Sequence, residues 1–216
     1  MALGSSSISR PAGRFITVEG IEGVGKSTNL SFVANELRRA GHAVVETREP
    51  GGTSLGERIR ELLLGPETRI GPLTELLLMF AARATHLDEV IRPALSSGKW
   101  VVCDRFTDAS HAYQGGGRGL PASTIDALAT LVQRDVCPDL TLLLDAPLKI
   151  AAERQAGRGH RDRFEQEPAE FFGRVRAAYL RLAASNPERI RLIDAGRTLP
   201  EVQEDIRRAL AEIDQK

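Results

Sequence analysis

The residues best suited to chemistry stand together at Gly20-Ile21-Glu22-Gly23-Val24-Gly25-Lys26-Ser27-Thr28. The spacing is G-x-x-x-x-G-K-S/T, and its use is to hold phosphate. Glycines let backbone N–H groups converge on phosphate oxygens, the lysine reaches the outer phosphates, and the next hydroxyl can ligate Mg²⁺. A plain glycine turn would share the spacing, so the flanks decide. Phe15 to Glu19 is apolar and β-branched and reads as a strand. Asn29 to Ala40 carries Leu30, Val33, Ala34 and Leu37 at helical spacing. A strand, a glycine loop and a helix in that order put the phosphate at a helix N-terminus, whose partial positive charge favours it. Gly20, Glu22, Gly23, Val24, Gly25, Lys26, Ser27 and Thr28 are the candidate nucleotide-binding residues.

The cations elsewhere exceed what one triphosphate needs. Arg48, Arg83 and Arg105 stand where the chain turns at the edge of such a pocket, which suggests a second phosphorylated ligand. The stretch from Gly157 to Glu167 is charged and punctuated by glycine, with Arg158, Arg161 and Arg163. It reads as a lid that excludes water and brings an arginine to a transferring phosphoryl group. There is no Asn-Lys-x-Asp segment to read guanine, and the chain is short for a motor. The composite is a nucleoside monophosphate kinase. A kinase for another nucleotide or nucleoside, or a P-loop ATPase or regulatory module, remains open.

These groups need elements to position them. Ala43 to Thr47 is a second strand, running into Arg48-Glu49-Pro50-Gly51-Gly52-Thr53, where Pro and Gly forbid regular structure. Ser54 caps a helix from Leu55 to Leu64. Thr74 caps a longer one from Glu75 to about Leu95, kinked or ended near Pro93. Trp100 to Asp104 is the third strand. Arg105 to Gln114 is polar, a short helix or loop, and Gly115 to Gly119 is a loop. Pro121 opens a helix to about Arg134, Leu140 to Asp145 is the fourth strand, and Pro147 opens a helix to about Gln155. Glu170 to Ala184 is helical, Ile190 to Asp194 is the fifth strand, and Leu199 to Ile213 is the last helix. The expectation is α/β: a three-layer P-loop nucleoside monophosphate kinase fold with a five-stranded parallel sheet flanked by helices. Ligands in such sheets bind beyond the carboxyl ends of the strands. The glycine loop, Arg48 with Glu49, and Asp104 with Arg105 all fall there.

The 216 residues suit one domain, residues 14–216, behind a Ser/Gly-rich stretch at 1–13 that reads as a disordered extension without the apolar centre of a signal peptide. Lys+Arg and Asp+Glu both number 29, so no global charge draws the chain to a nucleic acid polymer or a membrane surface. No apolar run approaches a membrane span. Cys103 and Cys137 lack metal-ligand spacing and read as two buried thiols in a reducing, cytoplasmic setting. His42, His86, His111 and His160 show no ligand spacing and read as surface. Asp145 reads as structural, and Asp205, Arg207 and Arg208 as the exposed face of the last helix.

The chain resembles the bacterial thymidylate kinases. The resemblance is carried by Glu19 to Thr28, Thr47-Arg48-Glu49-Pro50-Gly51-Gly52-Thr53, Ala81-Ala82-Arg83, Cys103-Asp104-Arg105-Phe106 and Ala112-Tyr113-Gln114-Gly115-Gly116-Gly117-Arg118-Gly119. Pro138-Asp139-Leu140-Thr141, Leu144-Asp145, the lid and Ile193-Asp194-Ala195 complete it. It implies transfer from MgATP to dTMP, on the way to dTTP, by a homodimer built on helices, with those around Leu76–Leu87 and Ile125–Val132 as candidates. It also implies roles. Arg48 and Arg105 hold the dTMP phosphate, Arg83 hydrogen-bonds the thymine edge, and Tyr113 and Gln114 line base and sugar. Pro50, Met79 and Ser110 complete the acceptor site. Glu22 lies near the sugar 3′-hydroxyl and the metal, which Ser27 and Asp104 also serve. The glycine loop holds no arginine, so the lid supplies the catalytic one, Arg158 first and Arg163 second, beside Lys26 and Arg105. One departure is at Met79, where the family usually stacks a phenylalanine on thymine. Phe80 is one residue later and turned by about 100° on a helix, which favours core for Phe80 and leaves Met79 between pocket and core.

Overall fold

The computed structural model describes residues 13–156 and 162–214. Five strands form one parallel sheet: β1 (Phe15–Glu19), β2 (Val44–Arg48), β3 (Trp100–Asp104), β4 (Leu140–Asp145) and β5 (Ile190–Asp194). Their order is β2-β3-β1-β4-β5, with Val18 opposite Asp104 on one side and opposite Leu142 on the other. The central strands β1, β3 and β4 are buried along almost their whole length, while β2 and β5 at the edges are only partly buried. Continuous apolar runs such as Leu140-Thr141-Leu142-Leu143-Leu144 are what a sheet covered on both faces requires. Successive residues point to opposite faces. Ile16, Val18, Trp100 and Val102 join the main core with Val33 and Leu37 of α1 (Lys26–Arg39). Phe15, Val101 and Cys103 join a second core with Leu87, Ile91 and Ala94.

The helical layers refine four expectations. α2 (Ser54–Leu64) is capped by Thr53, whose hydroxyl accepts from Gly56 N–H at 2.9 Å, rather than by Ser54. α3 (Pro72–His86) starts earlier than expected, because Pro72 fits the first turn, where its missing N–H costs nothing; Thr74 lies inside it. The chain then passes through a π-helical turn, Leu87–Ile91, into α4 (Arg92–Ser96). The wider turn precedes Pro93, which cannot donate to a regular α-helical ladder. The glycines at 115–117 do not form a loop. They end a π-helical stretch, His111–Gly117, that continues α5 (Thr107–Ser110). A Cβ on Gly116 would lie 2.5 Å from the Ala178 Cβ, and one on Gly117 would lie 2.5 Å from Phe171. These glycines admit α8 (Ala169–Ser185) at close range. α6 (Ala122–Gln133), α7 (Leu148–Gln155) and α9 (Leu199–Asp214) follow the expected pattern within a residue or two.

Two further readings change, those of His86 and Cys137, and that of Asp145 holds. His86 is fully buried, not on the surface. His42 stacks on Trp100, and His111 pairs with Asp126. Cys137 is exposed while Cys103 is buried. Asp145 is structural, held by both nitrogens of an Arg176 fork at 2.7 and 2.8 Å. Apart from Gly13, the expected extension at 1–13 lies outside the described residues, as do His160 and the lid residues 157–161 with Arg158 and Arg161.

Candidate active site

One cavity opens beyond the carboxyl ends of β1, β2 and β3. Its wall includes Glu22, Gly23, Gly25, Lys26 and Ser27 from the glycine loop, Glu49 and Pro50 after β2, and Asp104 and Arg105 after β3. Met79, Arg83, Ala109, Ser110, Tyr113 and Gln114 come from helices, and Asp162, Phe164 and Glu165 from the end of the expected lid. Segments far apart in the chain thus reach one place because parallel strands deliver all their exits to the same edge.

The loop is shaped for close backbone approach. Gly23 sits at φ +81°, and a Cβ there would lie 2.1 Å from the Ala151 carbonyl oxygen. α1 starts at Lys26 with Gly25 as a left-handed cap and no side-chain cap bond, so its first N–H groups are left to an anion. Lys26 Nζ folds back on the Ile21 carbonyl at 2.8 Å. Burial, helped by the charge of Arg105, pushes the lysine down to about 8 against the pull of Asp104, Glu22 and Glu19. Gly20 and the core side chain of Val24 support the loop without lining the cavity, and Thr28 is exposed beside it.

Arg105 is the hub of this end. Its backbone is left-handed, at φ 69°, and its side chain is pinned by three partners. Nη2 donates to Glu22 Oε1 at 2.7 Å and to the Tyr113 hydroxyl at 2.9 Å, and Nη1 donates to the Tyr179 hydroxyl at 3.2 Å. Tyr113 in turn donates to Glu22 at 2.6 Å. Burial alone would raise the Glu22 pKa. Arg105, Lys26 and the Tyr113 hydroxyl outweigh it and hold the carboxyl below its ordinary range. Beneath them, Glu19 accepts from Phe106 N–H and from the Tyr179 hydroxyl, both at 2.7 Å. Glu19 thereby ties down the peptide that follows the strained Arg105. Burial and nearby Asp108 push its carboxyl up to about 7.

The second end is built around Arg83, only 2% exposed. Nε donates to Glu49 at 2.7 Å, and Nη2 donates to the Phe106 carbonyl and to Ser110 Oγ, each at 3.1 Å. His86 Nδ1 lies 3.0 Å from the other Glu49 oxygen, and its Nε2 lies 2.6 Å from Thr47 Oγ1. Arg83 Nη1 is buried without a partner. A donor spare in this way, on a residue lining a cavity, is a ready contact for a ligand acceptor. Met79 lines the cavity, whereas Phe80 packs in the core with Leu76 and Ile125 and lies 4.5 Å beneath the Arg83 guanidinium. The one-residue offset therefore resolves as the helix geometry demands.

Two arginines stand elsewhere than expected. Arg48 is exposed, pairs with Glu57 at 2.8 Å and does not line the cavity. Arg60 of α2 takes that place in the wall, donating to the Pro50 carbonyl at 2.9 Å. Arg163 does not line the cavity either. Its guanidinium donates to the Leu63 carbonyl at 2.8 Å and to buried Glu75 at 2.7 Å. β2 ends at Arg48 with that side chain exposed, and Arg163 lies against the end of α2, its N–H on the Leu64 carbonyl, so both guanidiniums meet carboxylates first. The sequence placed Glu49 at this edge without its partners, and gave no role to Glu19, Glu75 or Tyr179. Tyr179 had a signal: it is a hydroxyl on the otherwise apolar Phe171, Val175, Ala178 face of α8.

Comparison with known proteins agrees with this geometry. The family profile described as thymidylate kinase matches residues 18–206. A thymidylate kinase of Pseudomonas syringae pv. tomato is 56% identical over 202 residues, covering 93% of this chain and 96% of its own length. One from Methylococcus capsulatus is 58% identical over 191 residues, covering 88% and 91%. The crystal structure of thymidylate kinase from Ehrlichia chaffeensis superposes with a TM-score of 0.76 at 36% identity, covering 93% of this chain and 99% of that one. With the fold, the glycine loop and the cavity all in agreement, the chain belongs to the thymidylate kinase family.

Proposed function

We propose that the chain transfers the γ-phosphoryl group of ATP to dTMP, giving dTDP and ADP. One observation carries the reading. A single cavity joins a phosphate end (Lys26, Glu22, Arg105) to a base end (Arg83, Gln114), and one nucleotide can span both. A dTMP phosphate oxygen attacks the γ-phosphorus in line. The new P–O bond forms as the bond to the β–γ bridging oxygen breaks, and ADP leaves. A phosphate oxygen near neutral pH needs no general base, so the protein's work is alignment and charge stabilisation.

Arg105 holds the acceptor phosphate, with Arg60 beside it at the wall and Arg48 available on leaving Glu57. Lys26 exchanges the Ile21 carbonyl for the donor phosphates, which also take the N–H groups opening α1. Arg83 meets the base edge. Gln114 and Tyr113 line base and sugar, and Pro50, Met79 and Ser110 shape the rest. Arg158 is the lid arginine we assign to the transferring group, since Arg163 is committed to Glu75 and Leu63.

A magnesium ion fits here. Asp104 Oδ1 is buried without a partner, and Ser27 and Glu22 share its cavity. Asp104 and Glu22 supply the one or two carboxylates that such an ion takes beside water and phosphates. When bound, it neutralises phosphate charge during transfer.

We further assign a cytoplasmic homodimer. No helix among the described residues is long and apolar enough to cross a membrane, and exposed Leu73, Leu77 and Leu131 on α3 and α6 offer an apolar contact. The test of function is an ADP-release assay across dTMP, dUMP, dCMP, dGMP and thymidine. We expect dTMP to be the best acceptor. Equal or better turnover with a non-thymine acceptor overturns the reading, as does hydrolysis indifferent to every acceptor.

A further inference from the structure

Glu75 lies in the first turn of α3, fully buried, and does not line the cavity. It nevertheless gathers three side chains from two other segments. Gln114 Nε2 donates to its Oε1 at 2.8 Å, Arg118 Nη2 lies 3.2 Å from its Oε2, and Arg163 Nη2 donates to the same oxygen at 2.7 Å. The helix N-terminus also favours a negative charge there.

The consequence falls on Gln114. A glutamine side chain carries a donor end and an acceptor end, and its neighbours decide which end faces where. A carboxylate paired with two guanidiniums only accepts, so the amide nitrogen must face Glu75. The amide carbonyl is then the end left for the cavity that Gln114 lines. Arg83, which carries the buried spare donor Nη1, lines the same cavity. The wall thus offers a donor and an acceptor. That pair complements the C=O and N–H of a 2,4-dioxopyrimidine and opposes the amino group and bare ring nitrogen of cytosine.

We propose that Glu75 is a positioning residue for specificity: by fixing the amide of Gln114 it selects dioxopyrimidine nucleotides against 4-aminopyrimidine ones. This rests on the reading that Arg83 and Gln114 take the base edge. The same carboxylate anchors Arg163 at the end of the expected lid, so base selection and lid anchoring share one group.

Equilibrium binding of dTMP, dUMP and dCMP to the full chain, measured by calorimetry, tests this without needing turnover. Glu75→Gln removes the acceptor-only partner. We expect the ratio of dCMP to dTMP dissociation constants to narrow by roughly tenfold or more, with dUMP tracking dTMP, because discrimination by buried polar pairs is lost once either pair can form. A merely structural role would weaken all three ligands alike and leave the ratio in place, and that result overturns the proposal. Should Glu75→Gln fail to fold, Glu75→Asp keeps the charge for the arginines but draws the carboxylate away from Gln114, and the same ratio is read. Gln114→Leu separates the two layers of argument. An unchanged ratio there overturns the base-edge reading and the proposal with it. A narrowed ratio there, with an unchanged one in the Glu75 variants, overturns only the role of Glu75.

Discussion

The two ends of the cavity are built on different principles. At the phosphate end, Arg105 and Glu22 form a pair whose side chains keep 16% and 15% of their exposure. Both stand on segments that leave strands directly. At the base end, Arg83 and Glu49 keep 2% and 5%, and the carboxylate is held again by His86, whose other ring nitrogen meets Thr47. The first pair stays wet enough to exchange partners with a ligand. The second is a dry framework with one donor left over. Under the proposed function, partners at the phosphate end are suited to act in turnover, whereas those at the base end are also part of what keeps the chain folded.

Substitutions should separate these roles. The largest effect is expected from Arg83→Met, which strands the Glu49 carboxylate in the interior. Removing one member of a buried pair costs about 3–5 kcal/mol, read as a lowered midpoint in urea. Adding Glu49→Gln should restore part of that loss, and no recovery would mean that the pair is not what stabilises this end. Arg105→Ala should reverse the pattern. Turnover with dTMP should fall by about 10²-fold or more, while the urea midpoint moves far less than with Arg83→Met. Equal losses of stability in the two variants would erase the contrast.

Gly116→Ala probes the packing that carries Gln114. Its Cβ would meet the Ala178 Cβ at 2.5 Å, and overpacking of this kind costs about 1–3 kcal/mol, visible as a lower melting temperature. The smallest effect concerns Lys26. The cation is the useful form, so kcat/KM for ATP should decline above pH of about 8, where the free lysine loses its proton. Lys26→Arg should remove that limb of the profile. The stability effect has the opposite sign. The folded value, about 8, lies below the ordinary 10.5. The unfolded chain therefore binds more protons between them, and this group's contribution to stability rises with pH across that window.

The phosphate end was largely legible in the sequence because its chemistry is local. The glycines, Lys26 and Ser27 lie within one loop, and loop, strand and helix reinforce one another in a contiguous stretch. The strand exits of a parallel sheet also brought Asp104 and Arg105 to the right edge without any knowledge of side-chain contacts. The base end was legible only as residue types. Met79 and Phe80 could be separated by helical rotation, but the partners of Glu49 and Glu75 could not be read. Each is an acidic residue of ordinary appearance whose partners lie 34 and 39 positions away in sequence.

The chain's own order of residues determined the sheet, the glycine loop and the kinase class, since periodicity and turn chemistry act over a few neighbours. The tertiary structure decided which cations face the cavity. It brought Arg60 into the wall and engaged Arg48 and Arg163 with carboxylates outside it. It also buried His86 and turned the Gly115–Gly117 stretch into a helix pressed against α8. The reason is common to all of these. A buried charge or a close helix contact is stable only with a particular partner at a particular distance, and that partner comes from elsewhere in the fold.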